Sequence, residues 1–353
     1  MSEVTEIFEL NDDESLDEIT IEVDKGQSSI RLDHFLVTRL PKVSRNRIQN
    51  AISAGLVLIN GKIIKPSYKI SGSESILLRI PKVQDHSEII PEDIPLDVIY
   101  EDPDLMVINK KPEMIVHPAQ GVYSGTLVNA LAYYFQQQKD PNAAVEKERF
   151  GLVHRIDKET SGLLVVAKSD FVHTHLAKQF FNHTIEREYL ALVWGEPNPP
   201  QGRIEANIGR DPAHRQRQFV FADGLSGKVA STNYELVEGY YYTSLVKCKL
   251  ETGRTHQIRV HMKYIGHPLF NDEKYGGDTI LKGTVFNKYK QFVLNCYKLL
   301  PRFPLHARSL GFIHPVTSKK MFFELDLPDD FKLLLDKWRN YTNSRKELVE
   351  VDE

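Results

Sequence analysis

The chain has 353 residues, 41% of them hydrophobic and 26% charged, with a net charge of -3 and two cysteines. That length allows one large or two to three smaller domains with a real core, and it holds no apolar run of about 18 residues, which excludes a membrane-spanning helix. Cys248 and Cys296 are too few for a disulfide framework or a zinc quartet, so a reducing, cytoplasmic setting is expected.

The charge is unevenly placed. Residues 1–24 hold ten Asp/Glu and no Lys/Arg, so setting those ten charges aside turns -3 into +7 for the remainder. The opening MSEVTEIFEL lacks the basic and apolar pattern of a secretory leader. Residues 1–25 read as a disordered acidic tail. The basic body behind them suits a polyanion, although a solvated basic surface would give the same count.

The first ordered block spans residues 28–82. IRLDHFLVTRL has apolar residues at helical spacing and stops at Pro41. SRNRIQNAISAG reads as a second short helix, with Ser44 as N-cap and Gly55 as terminator. LVLINGKII reads as a hairpin turning at Asn60-Gly61, and SILLRI supplies another strand. From Arg31 to Lys69 there are eight Lys/Arg against one Asp. Arg31, Arg45, Arg47 and Lys62 are therefore candidate phosphate contacts rather than base readers; an ordinary basic helix is the plainer alternative.

Residues 83–95, rich in Pro and acids, read as a linker. From residue 96 to 335 strand-like runs dominate (LMVINKKP, GLLVVAK, EYLALVWG), with helical patterns in TLVNALAYYFQQQ and DFVHTHLAKQFF. The elements do not alternate regularly. An α+β fold on a mixed or antiparallel sheet is expected rather than a doubly wound one. Residues 336–353 read as a frayed tail.

Three stretches carry candidate chemistry. In VHRIDKETSG, Asp157 lies between apolar runs and just before a tight turn. Alone, such an Asp is most often a turn residue bonding nearby backbone N–H groups. At the edge of a core, however, an ionised carboxylate needs a partner. In LETGRTHQIRVHMKYIGHPLFNDEKYG, Thr255 is expected to cap a helix on which His256, Arg259 and Lys263 share one face, with Ile258, Met262 and Ile265 buried on another. Its histidines are badly spaced for a metal. In TIEREYLALVWG, Tyr189 falls in a strand, usually as a packing residue. His306 and Arg308 of PLHARSLGFIHP read as a basic strand edge.

These blocks resemble one family. HRIDKETSGLLVVAK is similar to the HR-L/I-D-x-x-T/S-S/T-G signature of the RluA-type pseudouridine synthases. REYLALVWG, LETGRTHQIRVHMKYIGHPL and LHARSLGFIHP resemble its other blocks in the expected order, and IPLDVIYEDPDLMVINKKPEMIVHP its entry segment. RLDHFLVTRLPKVSRNRIQNAISAGLVLINGK resembles the alpha-L RNA-binding module that often precedes it. Within the family the likeness is to RluD-like synthases of large-subunit ribosomal RNA. The resemblance implies a pseudouridine synthase catalytic domain that isomerises uridine in RNA without cofactor or metal, as a monomer. It further implies Asp157 as the catalytic aspartate, Arg259 as its partner, Tyr189 stacked on the uracil, and Arg155 filling the stack after the uridine flips out. His154, Arg254, Thr255 and His256 are expected beside them in contact with RNA. Two other classes fit part of the pattern: a non-catalytic RNA-binding or ribosome-assembly factor, and a glycoside hydrolase, which would need a second carboxylate. Glu159 is the nearest for that role and is expected to face solvent.

Overall fold

The computed structural model describes residues 16–40, 43, 45–65, 67–81, 89–118, 122–137, 150–214 and 217–351. The N-terminal module comprises β1 (Leu16–Glu22), β2 (Ile30–Arg31), α1 (Leu32–Arg39), α2 (Arg45–Ser53), β3 (Val57–Ile59), β4 (Lys62–Ile63), β5 (Lys69–Ile70) and β6 (Ser75–Pro81). Its sheet runs β1-β6-β3-β4, antiparallel throughout. Asn60 and Gly61 take φ of 48° and 77° at the β3–β4 turn, the left-handed pair that a two-residue hairpin needs. Ile48 and Ile52 are buried together on α2 as their spacing requires. The Ser44 cap lies outside the described residues.

The larger body contains β7 (Val98–Glu101), β8 (Leu105–Lys110), α3 (Leu127–Gln137), β9 (Ser161–Ala167), α4 (Asp170–Phe181), β10 (Glu186–Trp194), β11 (Gln201–Glu205), β12 (Asn207–Arg210), β13 (Gln218–Phe221), β14 (Ser231–Gly239), β15 (Thr243–Leu250), α5 (Gln257–Tyr264), α6 (Asn287–Leu299), β16 (Leu305–Ile313), β17 (Lys320–Glu324) and α7 (Asp329–Val351). Its main sheet runs β11-β14-β15-β10-β16-β9-β8-β7, with β17 on the far half of β16. Among the described residues only the β16–β9 pairing is parallel. The mixed sheet of an α+β fold is thus present.

Side-chain alternation explains the continuous apolar run of β9. Leu163, Val165 and Ala167 point into one core, while Leu164 and Val166 point into another. A strand covered on both faces has no polar side to show. The first core is shared: Ile48, Ile52, Leu78 and Ile80 of the N-terminal module pack in the same cluster as Val172, Leu176 and Phe180 of α4. The second core underlies the candidate site. A third gathers Trp194, Phe270, Val293 and Trp338 under α6 and α7.

Several expectations need correction. The acidic leader was expected to be disordered through residue 25, but Leu16–Glu22 pairs in full register with β6, and Leu16 and Ile21 are buried. Residues 1–15 lie outside the described residues. The C-terminal tail was expected from residue 336; α7 instead continues to Val351, with Trp338 fully buried. Part of the expected linker is held down, since Asn129 Nδ2 donates to the Ile90 carbonyl at 2.8 Å; residues 82–88 are outside the described set. His306 is no strand edge, being buried on the central β16.

Candidate active site

The cleft is built where β9, β10 and β16 meet the loop leading into α5. Asp157 sits in the segment before β9. Its carbonyl accepts from Thr160 N–H at 3.1 Å, so the turn is closed by backbone and the carboxylate is not spent on it. Gly162, with φ of +115°, then lets β9 approach β16; a methyl group there would lie 2.2 Å from the Ala307 carbonyl oxygen. That contact fixes the strand and with it the turn that aims Asp157.

The opposite wall is α5. It begins not at Thr255, the expected cap, but at His256, whose φ of 56° is left-handed and whose side chain makes no cap bond. The work of holding the helix start falls to Gln257. Its buried amide accepts from Thr252 Oγ1 (2.7 Å) and Arg254 N (2.9 Å), and donates to Ser231 O (3.0 Å) and Thr232 Oγ1 (2.9 Å). His256 is thereby free to face the cleft.

Arg259 is held in every direction. Nε and Nη2 donate to the two oxygens of Asp272 at 2.7 and 2.9 Å. Nη1 donates to Asp157 Oδ2 at 2.9 Å. The guanidinium lies 4.0 Å above the Phe303 ring and 4.9 Å from that of Tyr275. A buried, bidentate pair of this kind is rigid and strongly charge-assisted.

Asp157 Oδ1 is different. It accepts no hydrogen bond among the described residues, and His256 Nε2 lies 3.9 Å from it. The other ring nitrogen of His256 is held by Tyr275. Tyr275 hydroxyl accepts from Gln218 N–H at 3.0 Å and is hydrogen-bonded to His256 Nδ1 at 2.7 Å, which leaves Nε2 on the side of Asp157. Burial pulls His256 down to about 4 despite the nearby Asp157, which agrees with a neutral ring at pH 7. Burial alone would raise Asp157; His256, Arg259 and Arg155 outweigh it and hold the carboxyl below its usual range.

Tyr189 and Arg187 line the same cleft from β10. Residues i and i+2 of a strand share a face. The β10–β16 register shifts at this point, Glu188 facing Ser309 and Tyr189 facing Ala307, so Arg308 is an extra residue. Such bulges re-aim side chains. Burial pushes the Tyr189 hydroxyl up, keeping it protonated.

Comparisons with known proteins identify the family. Residues 104–264 match the family model described as RNA pseudouridylate synthase, and residues 30–76 match the S4 domain. An uncharacterized RNA pseudouridine synthase of Chlorobaculum parvum is 42% identical over 91% of this chain and 98% of its own length. The chain belongs to the RluA-type RNA pseudouridine synthases. The ribosomal large subunit pseudouridine synthase D of Zymomonas mobilis is 42% identical over 86% of this chain and 92% of its own. In structure, human RNA pseudouridylate synthase domain containing 4 shares the fold, with a TM-score of 0.53 and 23% identity over 69% of this chain and 93% of that one.

The synthase brings most of the expected residues together. Asp157, Arg155, Tyr189, Arg254, His256 and Arg259 all line the cleft. Arg155 is exposed at its mouth, while Ile156 is buried beside it. His154 does not belong with them. Its Nε2 accepts from Val165 N–H at 3.1 Å, its ring stacks on Phe180 at 4.4 Å, and burial drives it down to about 3; it is a neutral framework residue. Thr255 is half-buried in the loop before α5 and outside the cleft lining. In the N-terminal module Lys62 is exposed as expected, but Arg47 is only 2% exposed and influences His173 of α4, so it serves the seam between module and body. Glu159 is half-buried rather than solvent-facing, and burial raises its carboxyl.

Sequence reasoning missed Asp272, Tyr275, Lys110 and Arg187. Arg187 had a signal, two residues before Tyr189 on a strand. Lys110, 2% exposed, donates to the carbonyls of Lys111 (2.8 Å), Met114 (2.9 Å) and Lys158 (3.0 Å). Its partners are spread across the chain, so no local motif shows them. Among the described residues Asp102, Asp104 and His314 form a metal-sized cluster. Both His314 nitrogens are already engaged: Nδ1 accepts from Val316 and Thr317 N–H, and Nε2–H donates to Asp102 Oδ2 at 3.0 Å.

Proposed function

We propose that the synthase isomerises uridine in large-subunit ribosomal RNA, in the cytoplasm and as a monomer, with Asp157 as the group that starts the reaction. The observation that carries the assignment is the division of labour within one carboxylate: Oδ2 fixed on Arg259, Oδ1 unbonded and facing the cleft beside Tyr189. The name of the Zymomonas mobilis relative supports the RNA class.

A uridine in folded RNA is shielded and must leave the stack, at a cost of a few kcal/mol. Arg155, exposed at the mouth, is suited to fill the gap, since a planar guanidinium both stacks and meets phosphate. Inside, the bond from the sugar to N1 breaks, the uracil turns over, and a bond from the sugar to carbon 5 forms. The carbon 5 proton is lost and N1 gains one, so atoms and electrons balance without a second substrate. Asp157 starts this as nucleophile or base at the sugar; either route needs an ionised carboxylate with a free lone pair, which is what Oδ1 offers. Tyr189, kept neutral by burial, stacks on the uracil and handles the carbon 5 proton.

The test is pseudouridine mapping of ribosomal and transfer RNA from cells lacking the gene and from cells carrying Asp157→Asn. The same few large-subunit sites should vanish in both. Sites lost only on deletion would remove Asp157 from the chemistry, and losses confined to transfer RNA would move the substrate class.

A further inference from the structure

We propose that Arg187 is the receptor for a backbone phosphate of the RNA in the cleft, left without a counter-ion in the free protein so that the substrate supplies it. This rests on reading the cleft as the uridine site and names what holds the strand there.

Arg187 lies on β10 and is 8% exposed. Its Nε has no hydrogen-bond partner, and no described carboxylate lies within ion-pair distance of its guanidinium. The other buried arginines of this region are paired, Arg259 with Asp157 and Asp272, and Arg302 with Asp330 at 2.7 Å. A guanidinium does not escape its desolvation by losing a proton at neutral pH. An uncompensated buried cation is costly, and folds keep such groups chiefly where a ligand uses them.

The surroundings say which ligand. Phe180 sits under the guanidinium at 5.3 Å, which holds the plane but satisfies no N–H. Gly253, part of the cleft lining, has no side chain to fill the space before the group; a methyl there would come within 2.8 Å of Nη1 and 3.4 Å of Nη2. The glycine therefore leaves the two Nη atoms open toward the cleft. A planar donor pair that keeps its charge matches a phosphodiester bidentately. Tyr189 shares its strand face about 7 Å away, so the phosphate so bound belongs to the nucleotide in the site or its neighbour. The competing role for this charge is to tune the Tyr189 hydroxyl, which would alter the pH profile and not RNA affinity.

The experiment uses full-length wild type, Arg187→Met and Arg187→Lys with a large-subunit ribosomal RNA fragment, reading binding against salt, turnover and thermal unfolding. Arg187→Met removes a buried unpaired charge at similar volume, so it should melt no earlier than wild type. It should bind the fragment roughly 10- to 100-fold more weakly, with a log–log salt slope smaller by about 1. Arg187→Lys should recover the slope and only part of the affinity. Unchanged affinity and slope in Arg187→Met overturn the proposal while wild-type turnover leaves the cleft reading standing. A shifted pH profile at unchanged affinity overturns it in favour of the Tyr189 role, and an early melt with unchanged binding in favour of packing. Wild type that neither binds nor converts the RNA would remove the cleft reading itself, and the phosphate site with it.

Discussion

Two of the carboxylates that receive arginines, Asp33 and Asp157, are used in opposite ways. Asp33, in the N-terminal module, is fully buried and takes donors from Arg31, Arg45 and Gln49 and from the His34 backbone at 2.9–3.2 Å. The Arg31 bond above all drives its carboxyl below the usual range. Asp157, in the cleft, is 22% exposed and takes one donor, from Arg259. Both are ionised at pH 7. Only Asp157 has a lone pair to spare, and the difference separates a knot from a reagent. Arg31 and Arg45, expected as phosphate contacts, are each about half exposed while bonded to Asp33.

The largest expected effect comes from removing the reagent. With a saturating RNA substrate, Asp157→Asn should cut turnover by more than about 10⁴-fold while RNA binding survives; turnover within tenfold of wild type would end its catalytic assignment. Next is Asp272→Asn. Arg259 would keep its bond to Asp157 but lose the charge that clamps Nε and Nη2. Breaking a buried pair costs about 3–5 kcal/mol, and a drifting guanidinium should slow turnover by about 10²-fold. Asp272 is a positioning residue, so single-turnover rate should fall with little change in RNA affinity. An equal fall in affinity would place it in binding instead.

Asp33→Asn tests the other side. It leaves Arg31 and Arg45 facing each other without a counter-charge, and both are about half exposed, so the loss should be about 2 kcal/mol, below that of a fully buried pair. Turnover at saturating RNA should stay within twofold, and a larger drop would tie the module to the chemistry. The sign follows from the lowered carboxyl: the stabilisation is present above the unfolded pKa of about 3.9 and is lost as pH falls through the folded value. A point change is a cleaner probe than deleting the module, because deletion would uncover Leu176 and Phe180 of α4, which share its core.

What was legible in the sequence was local. Asp157, Arg259 and Tyr189 stand in ordered blocks, and the Asn60-Gly61 turn and the α2 face follow from spacing. What was hidden depended on distant pairing. β1 joins β6 across 53 residues at Glu22–Ser75, and its acids made it look like solvated tail. Arg47 follows the helical period of a polar face, yet the larger body covers that face. His154 sits next to Arg155, but its partner is a backbone N–H of Val165. On α7, Phe331, Leu334, Leu335 and Trp338 keep helical spacing, and the surrounding charges obscured it.

The smallest expected effect sharpens the comparison through pH. Because Asp157 is held below the usual carboxylate range, turnover should be flat from about pH 5 to 6, where ordinary carboxylates are largely ionised. An alkaline limb should follow from Lys110. Burial lowers its ammonium from 10.5 to about 7, and three carbonyls, among them that of Lys158 next to Asp157, depend on its three protons. As pH rises through and above 7 one of those bonds is lost and the turn that aims Asp157 loosens, so turnover should fall by about tenfold or less. Stability should move the opposite way. Between about 7 and 10.5 the unfolded chain holds a proton at Lys110 that the folded one has released, so stability rises with pH there. Lys110→Met should be slower at pH 7 and lose the limb. A limb that persists unchanged in Lys110→Met would assign it to another group.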